Sequence, residues 1–231
     1  MVATPFNLSP EQQDYLRTKE FQALLALKAG ESILRDAADI LRKELQPNLV
    51  LHTTRVAVKI TSRTISKIQE DIQKNPSLTV EAAIDRIKDF AGGRFLILYL
   101  ADVSRAHEIF CCHINSNPEV ATLDGKKEDY NTSPKESGYR ALHQGILVKL
   151  DPEPYLLIEP ETYFPFEVQF LTFLQADWAA KEHRVYEYRD KIPDDIRQSL
   201  KELSTIFNFV SRYSDELREK IRPLLPPNIP I

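Results

Sequence analysis

The sequence predicts one α+β domain, a β-sheet core flanked by helices, with helical extensions at both ends. Three observations predict it. Residues 49–60, LVLHTTRVAVKI, alternate around β-branched positions. Two further apolar runs, RFLILYL at 94–100 and FPFEVQF at 164–170, have strand length and strand composition. Outside them, apolar residues recur at helical spacing near both ends of the chain. The 231 residues, 42% hydrophobic and 28% charged, suffice for one sizeable core. The expected division is N-terminal helices over 1–48, a core over 49–190, and a C-terminal helix and tail over 191–231.

Each element has a local cause. Ser9 is a good helix cap and Pro10 fits a first turn. Gly30 is expected to interrupt that helix, after which Ile33, Ala37, Ile40, Leu41 and Leu45 mark a second amphipathic stretch ending before Pro47. Alternation in 49–60 sets Arg55, Ala57 and Lys59 on one face and Val56, Val58 and Ile60 on the other. The following SRTISKIQEDIQK reads as a helix with Arg63 and Lys67 one turn apart. Thr79 caps VEAAIDRIKDF, which runs through Asp89 to Gly92, Gly93 and the apolar strand. Asp102 is expected to cap the next helix, ending near His113, and VATLDGKKEDYN to form a polar turn.

Residues 128–143, EDYNTSPKESGYRALH, concentrate turn formers, charges and rings. Asn131, Ser133, Pro134, Ser137 and Gly138 make a loop that presents Lys135, Tyr139, Arg140 and His143 ahead of the strand GILVKL. The proline-rich DPEPYLLIEPETYFP is a surface excursion. In FPFEVQF, Phe164, Phe166, Val168 and Phe170 share one face, which leaves Glu167 and Gln169 on the other. Thr172 caps a helix that carries Trp178, Glu182 and His183. The last helix begins with acids and has Ile196, Leu200, Leu203, Ile206, Phe207 and Val210 at helical spacing.

The net charge of −4 argues against a broad polyanion-binding surface and leaves a small nucleotide as the favoured ligand. Adjacent Cys111 and Cys112 suit neither a disulfide nor a metal, so both are expected to be reduced. Without a basic-then-apolar leader or a long apolar run, the protein is expected in the cytoplasm, off the membrane. Arg55, Lys59, Arg63 and Lys67 supply cations for a polyphosphate, Asp89 and Glu167 carboxylates for Mg²⁺, and Tyr139 a ring for a base. Taken singly, each cation reads as a solvated face, Asp89 as a structural group and Glu167 as an exposed strand carboxylate.

The 128–143 loop resembles the signature of the RelA/SpoT synthetase family through Asp129, Tyr130, Pro134, Lys135, Gly138, Tyr139, Arg140, Leu142 and His143. KDFAGGRFLIL at 88–98 and FEVQFLT…DWAAKEH between 166 and 183 are similar to its other two motifs, so the resemblance covers roughly 50–190. It implies a single small alarmone synthetase domain, a nucleotidyltransferase-like mixed sheet flanked by helices. Its activity would be transfer of the β,γ-pyrophosphate of ATP to the 3′-hydroxyl of GTP or GDP. It further implies Lys59 and Lys67 at the donor, Asp89 and Glu167 at Mg²⁺, Glu167 at the attacking hydroxyl, Tyr139 stacked on the acceptor base, and Lys135 and His143 beside it. A homo-oligomer through the terminal helices is expected.

Departures concentrate on the acceptor side. Ala57, Glu128, Ser137 and Leu171 replace a family arginine, lysine, asparagine and arginine. Glu128 reverses a charge, and Ser137 lacks the paired donor and acceptor that read guanine. Two alternatives therefore stand beside the synthetase: a toxin-like relative that modifies an adenine nucleotide or the tRNA CCA end, with an antitoxin partner, and a non-catalytic nucleotide-binding module.

Overall fold

The computed structural model describes residues 8–45, 50–55, 61–87, 90–151, 162–186 and 192–225. The chain order is α1 (Pro10–Leu45), β1 (Val50–Arg55), α2 (Thr61–Lys74), α3 (Val80–Asp85), β2 (Gly92–Ile97), α4 (Val103–Asn115), β3 (Ala121–Asp129), β4 (Leu142–Lys149), β5 (Tyr163–Thr172), α5 (Phe173–Tyr186) and α6 (Asp194–Ile221). The strands form one mixed sheet in the order β1-β2-β5-β4-β3, with β2 and β5 parallel and the other neighbours antiparallel. This is the α+β fold the sequence calls for. Lys59, Asp89 and most of the proline-rich excursion lie outside the described residues.

The alternation in FPFEVQF is realised as written: Phe164, Phe166, Val168 and Phe170 are buried while Glu167 and Gln169 between them are not. Phe95, Ile97, Leu142, Ile146 and Val148 extend the same apolar face. Phe110 of α4 packs edge-on to Phe95 and Phe170, with centroids 5.8 and 5.4 Å away. Each buried ring contributes about 1.5–3 kcal/mol. Caps close the helices as expected: Ser9 and Gln12 bond reciprocally, Thr79 accepts from Ala82 N, and Thr172 and Gln175 bond reciprocally. Among the described residues no helix is long and apolar enough to cross a membrane.

Three local expectations are corrected. Gly30 does not interrupt the first helix, because α1 runs unbroken through it and the ring of Phe166 fills the space where a Cβ would stand. A mid-helix glycine costs about 1 kcal/mol, which the packing of a fully buried phenylalanine offsets. Asp102 makes no side-chain cap at α4. Its carboxylate is taken by Arg218, 2.7 Å away, and the helix starts instead from a 3-10 turn at Leu100–Asp102. The polar stretch 121–129 is not a turn but the edge strand β3, with a bulge between Leu123 and Lys127. Its charges belong to an exposed strand edge that discourages further pairing.

Beneath the sheet, His107 of α4 is buried, donates to Gln144 Oε1 at 2.9 Å and stands edge-on to Phe170. Burial pushes its pKa down, and the Gln144 hydrogen bond only partly opposes that. The unfolded chain therefore binds this proton at higher pH than the folded one, and stability falls as pH drops below the ordinary histidine range near 6.5. Urea unfolding between pH 7 and pH 5 is expected to show this loss in the wild type and a smaller loss in His107→Asn.

Candidate active site

β5 carries Glu167 on the face of the sheet opposite the phenylalanine core, and the strand register decides what surrounds it. Its Cα is paired with Gly92 on β2 and Gly145 on β4, so neither neighbouring strand places a Cβ directly opposite it. The backbones approach closely there: a Cβ on Gly92 would stand 2.7 Å from the Glu167 carbonyl oxygen. Across Gly145 the carboxylate of Asp124 occupies the place a Cβ would take, held by Lys126 N at 2.8 Å. The Cα of Arg55, at the end of β1, is paired with Gly92 and extends the same row.

Glu167 is held without being covered. Its side chain keeps 27% exposure, the Gln169 side-chain Nε2 donates to Glu167 Oε1 at 2.7 Å, and Arg94 donates to the Gln169 side-chain Oε1 at 3.2 Å. His143 Nδ1 lies 3.2 Å from Oε2, within range of charge attraction yet off the line of a hydrogen bond. On its other side, His143 Nε2 shares a hydrogen bond of 2.8 Å with the Tyr139 hydroxyl. Glu167, His143 and Tyr139 thus form a polar chain from midsheet to the signature loop.

That loop is built in detail. The Asp129 carboxylate accepts from Asn131 N at 2.9 Å, Gln175 donates to the Asn131 side chain at 2.7 Å, and Arg140 donates to the Asn131 carbonyl at 3.0 Å. Gly138 has φ +92°, which residues with a Cβ rarely adopt, and its carbonyl accepts from the Ser204 hydroxyl of α6. Tyr139 is then packed by Tyr130, His143 and Trp178, with centroids 5.7, 5.6 and 6.2 Å away. The Lys135 ammonium stands 4.4 Å from the Tyr130 ring centre and 5.1 Å from that of Tyr139. The Tyr130 hydroxyl donates to Glu128 at 2.7 Å; burial first and that bond second push the phenol pKa up.

The structure therefore brings together Glu167, His143, Tyr139 and Lys135, with half-buried Ser137 next to Gly138. Lys67 is half-buried on α2, one turn after Arg63. Leu171 is fully buried, so it is a packing residue and not a site group. Sequence reading gave no role to Arg94, Gln169, Asp124 or Trp178. Gln169 shares the Glu167 face by alternation, but Arg94 reaches it only through the parallel pairing of β2 with β5.

Among the described residues no three His, Cys, Asp or Glu side chains converge on a metal position. Magnesium does not need such a cage, since it binds through one or two carboxylates plus substrate phosphates and keeps waters. An uncovered carboxylate with glycines on both sides fits that demand.

Residues 57–191 match the model of the region found in RelA / SpoT proteins. The GTP pyrophosphokinase YwaC of Bacillus subtilis (strain 168) is 24% identical over 189 residues, 81% of either chain. YjbM, a GTP pyrophosphokinase of the same strain, is 25% identical over 140 residues, 60% of this chain and 61% of its own. The crystal structure of small alarmone synthetase 1 from Bacillus subtilis bound to its product pppGpp superposes with a TM-score of 0.69 at 21% identity, over 93% of this chain and 100% of the other. Small alarmone synthetase 2 from the same organism gives 0.65 at 22% identity, over 85% and 97%.

A Cβ on Gly138 would meet Ser204 Cβ at 2.8 Å besides forcing the backbone from positive φ. Gly138→Ala is expected to cost about 1–3 kcal/mol and to unseat Tyr139. Because Trp178 is the only tryptophan and packs on Tyr139, its fluorescence should shift in that variant. An unchanged spectrum with unchanged stability would show that the loop does not depend on this turn.

Proposed function

The chain belongs to the RelA/SpoT family, and on that premise we propose that it is a pyrophosphokinase that moves the β,γ-pyrophosphate of ATP onto the 3′-hydroxyl of GTP or GDP. The observation that carries the reading is Glu167, an uncovered carboxylate in a row of glycines, joined through His143 to the ring of Tyr139. The names of the curated relatives, GTP pyrophosphokinase, agree with it.

In this reading Glu167 orients the acceptor 3′-hydroxyl and takes its proton as the oxygen attacks the β-phosphorus. The bond from that phosphorus to the oxygen it shares with the α-phosphorus breaks, and AMP leaves. Asp89 and Glu167 would hold Mg²⁺, which supplies positive charge against the phosphate oxygens. Arg55, Lys59, Arg63 and Lys67 bind the donor phosphates. Tyr139 stacks on the acceptor base while Lys135, Ser137 and His143 line its pocket. Gln169, itself held by Arg94, fixes the Glu167 rotamer.

Glu128 favours keeping one second reading. Its carboxylate, tied to Tyr130 beside the acceptor loop, repels acceptors with many 5′-phosphates, and Ser137 reads guanine poorly. An adenine nucleotide or the tRNA CCA end is the acceptor in that reading.

Incubation with ATP labelled in its β and γ phosphates, Mg²⁺ and one of GTP, GDP, ATP or deacylated tRNA separates them. Label on GTP or GDP is expected; label only on tRNA or in an adenine nucleotide with two more phosphates than ATP would transfer the proposal to the second reading, and no labelled product would mark a non-catalytic module. Glu167→Gln should lower transfer at least about 100-fold with the Trp178 fluorescence unchanged. Tyr139→Ala should weaken acceptor binding by about 1–3 kcal/mol while donor binding holds. Equal losses for donor and acceptor would remove Tyr139 from the acceptor pocket.

A further inference from the structure

Asp124 stands on the same face of the sheet as Glu167, across β4 from it, and the backbone is shaped to put it there. β3 pairs Leu123 with Ile146, then shifts register through a bulge before pairing Lys127 with Gln144. Inside the bulge Gly125 has φ +76°, a conformation that residues with a Cβ rarely adopt. Bulges re-aim a side chain and are frequent beside active sites. The side chain re-aimed here is Asp124, whose Oδ2 and Oδ1 lie 2.2 and 2.3 Å from the place of a Cβ on Gly145. Gly145 is paired with Glu167, and directly opposite Cβ positions are about 4.5–5.5 Å apart. The Asp124 carboxylate is therefore no more than about 8 Å from the Glu167 Cβ, within the reach of one sugar ring.

Two further observations bear on what this opening takes. His143, 7% exposed, turns toward Glu167 an Nδ1 that has no hydrogen-bond partner, so a polar ligand group is wanted there. Asp124 has no cationic partner among the described residues; the Lys126 backbone N–H donates to its Oδ1 at 2.8 Å. Such a carboxylate repels phosphates and accepts strongly from a hydroxyl. A base on Tyr139 and a 3′-hydroxyl at Glu167 lay the acceptor ribose over β4, where Gly145 leaves room and Asp124 borders the opening. We infer that Asp124 accepts a hydrogen bond from the acceptor 2′-hydroxyl and so restricts acceptors to ribonucleotides. This assignment rests on the reading in which Glu167 orients the 3′-hydroxyl.

Transfer to GDP, ADP and deacylated tRNA tests it, each beside the counterpart that lacks the 2′-hydroxyl on the attacked ribose. Whichever base is used, the wild type should favour the ribose form by about 10- to 100-fold in kcat/KM. Asp124→Ala should bring that ratio to within about threefold of one, with the loss on the ribose form. Gly145→Ala should also lower the ratio with Asp124 still present, since the new Cβ takes the carboxylate's place. A wild-type ratio near one overturns the assignment. So does an Asp124→Ala loss equal for both forms, which marks a structural residue, or one that added Mg²⁺ repairs, which marks a metal ligand. If no acceptor is pyrophosphorylated, the transferase reading fails by itself; the same ratio, taken from dissociation constants read by Trp178 fluorescence, then decides the role of Asp124.

Discussion

Everything at the candidate site depends on the register of β5 between β2 and β4. Slipping β5 by one residue would turn Glu167 into the phenylalanine core and expose Phe166 and Val168, since side chains alternate with period two. Burying an unpaired carboxylate costs far more than the few kcal/mol by which a domain is stable, so the core rings that hold the register also hold Glu167 outward. In that register Gly92 and Gly145 flank the carboxylate. A glycine in a strand interior weakens the strand; here the two together open one face of a well-packed sheet around a single charged group.

The sheet thereby separates stability from chemistry. The α1 and α4 side carries the interlocked rings of Phe95, Phe110 and Phe170. The opposite side carries Arg94, which holds Gln169, Gln169, which holds Glu167, and His143 beside the Glu167 carboxylate. The signature loop completes that side and is preorganised, since Asp129, Gln175 and Arg140 all bond Asn131 before any ligand binds. α6 reaches over the loop at Gly138 and anchors at the far end through Arg218.

Local features were legible in the sequence and pairing was not. Alternation in FPFEVQF fixes which side Glu167 and Gln169 face, and capping residues locate the starts of α1, α3 and α5. The glycine row depends on strands far apart in the chain, so Gly92 and Gly145 carry no local sign that they flank Glu167. Asp102 has the look of a cap, yet Arg218, 116 residues later, takes its carboxylate. β3 reads as a turn because an edge strand, exposed and charged, loses the apolar alternation that identifies inner strands. Gly30 reads as a helix breaker because the ring that fills its gap comes from β5.

The most direct test of the account is a crystal structure with Mg²⁺, GDP and an ATP analogue that cannot be cleaved. The account places the metal about 2.0–2.1 Å from a Glu167 oxygen, the analogue's phosphates over the Gly92 and Gly145 row, and the guanine against the ring of Tyr139. Nucleotides bound on the α1 side, or no metal beside Glu167, would contradict it.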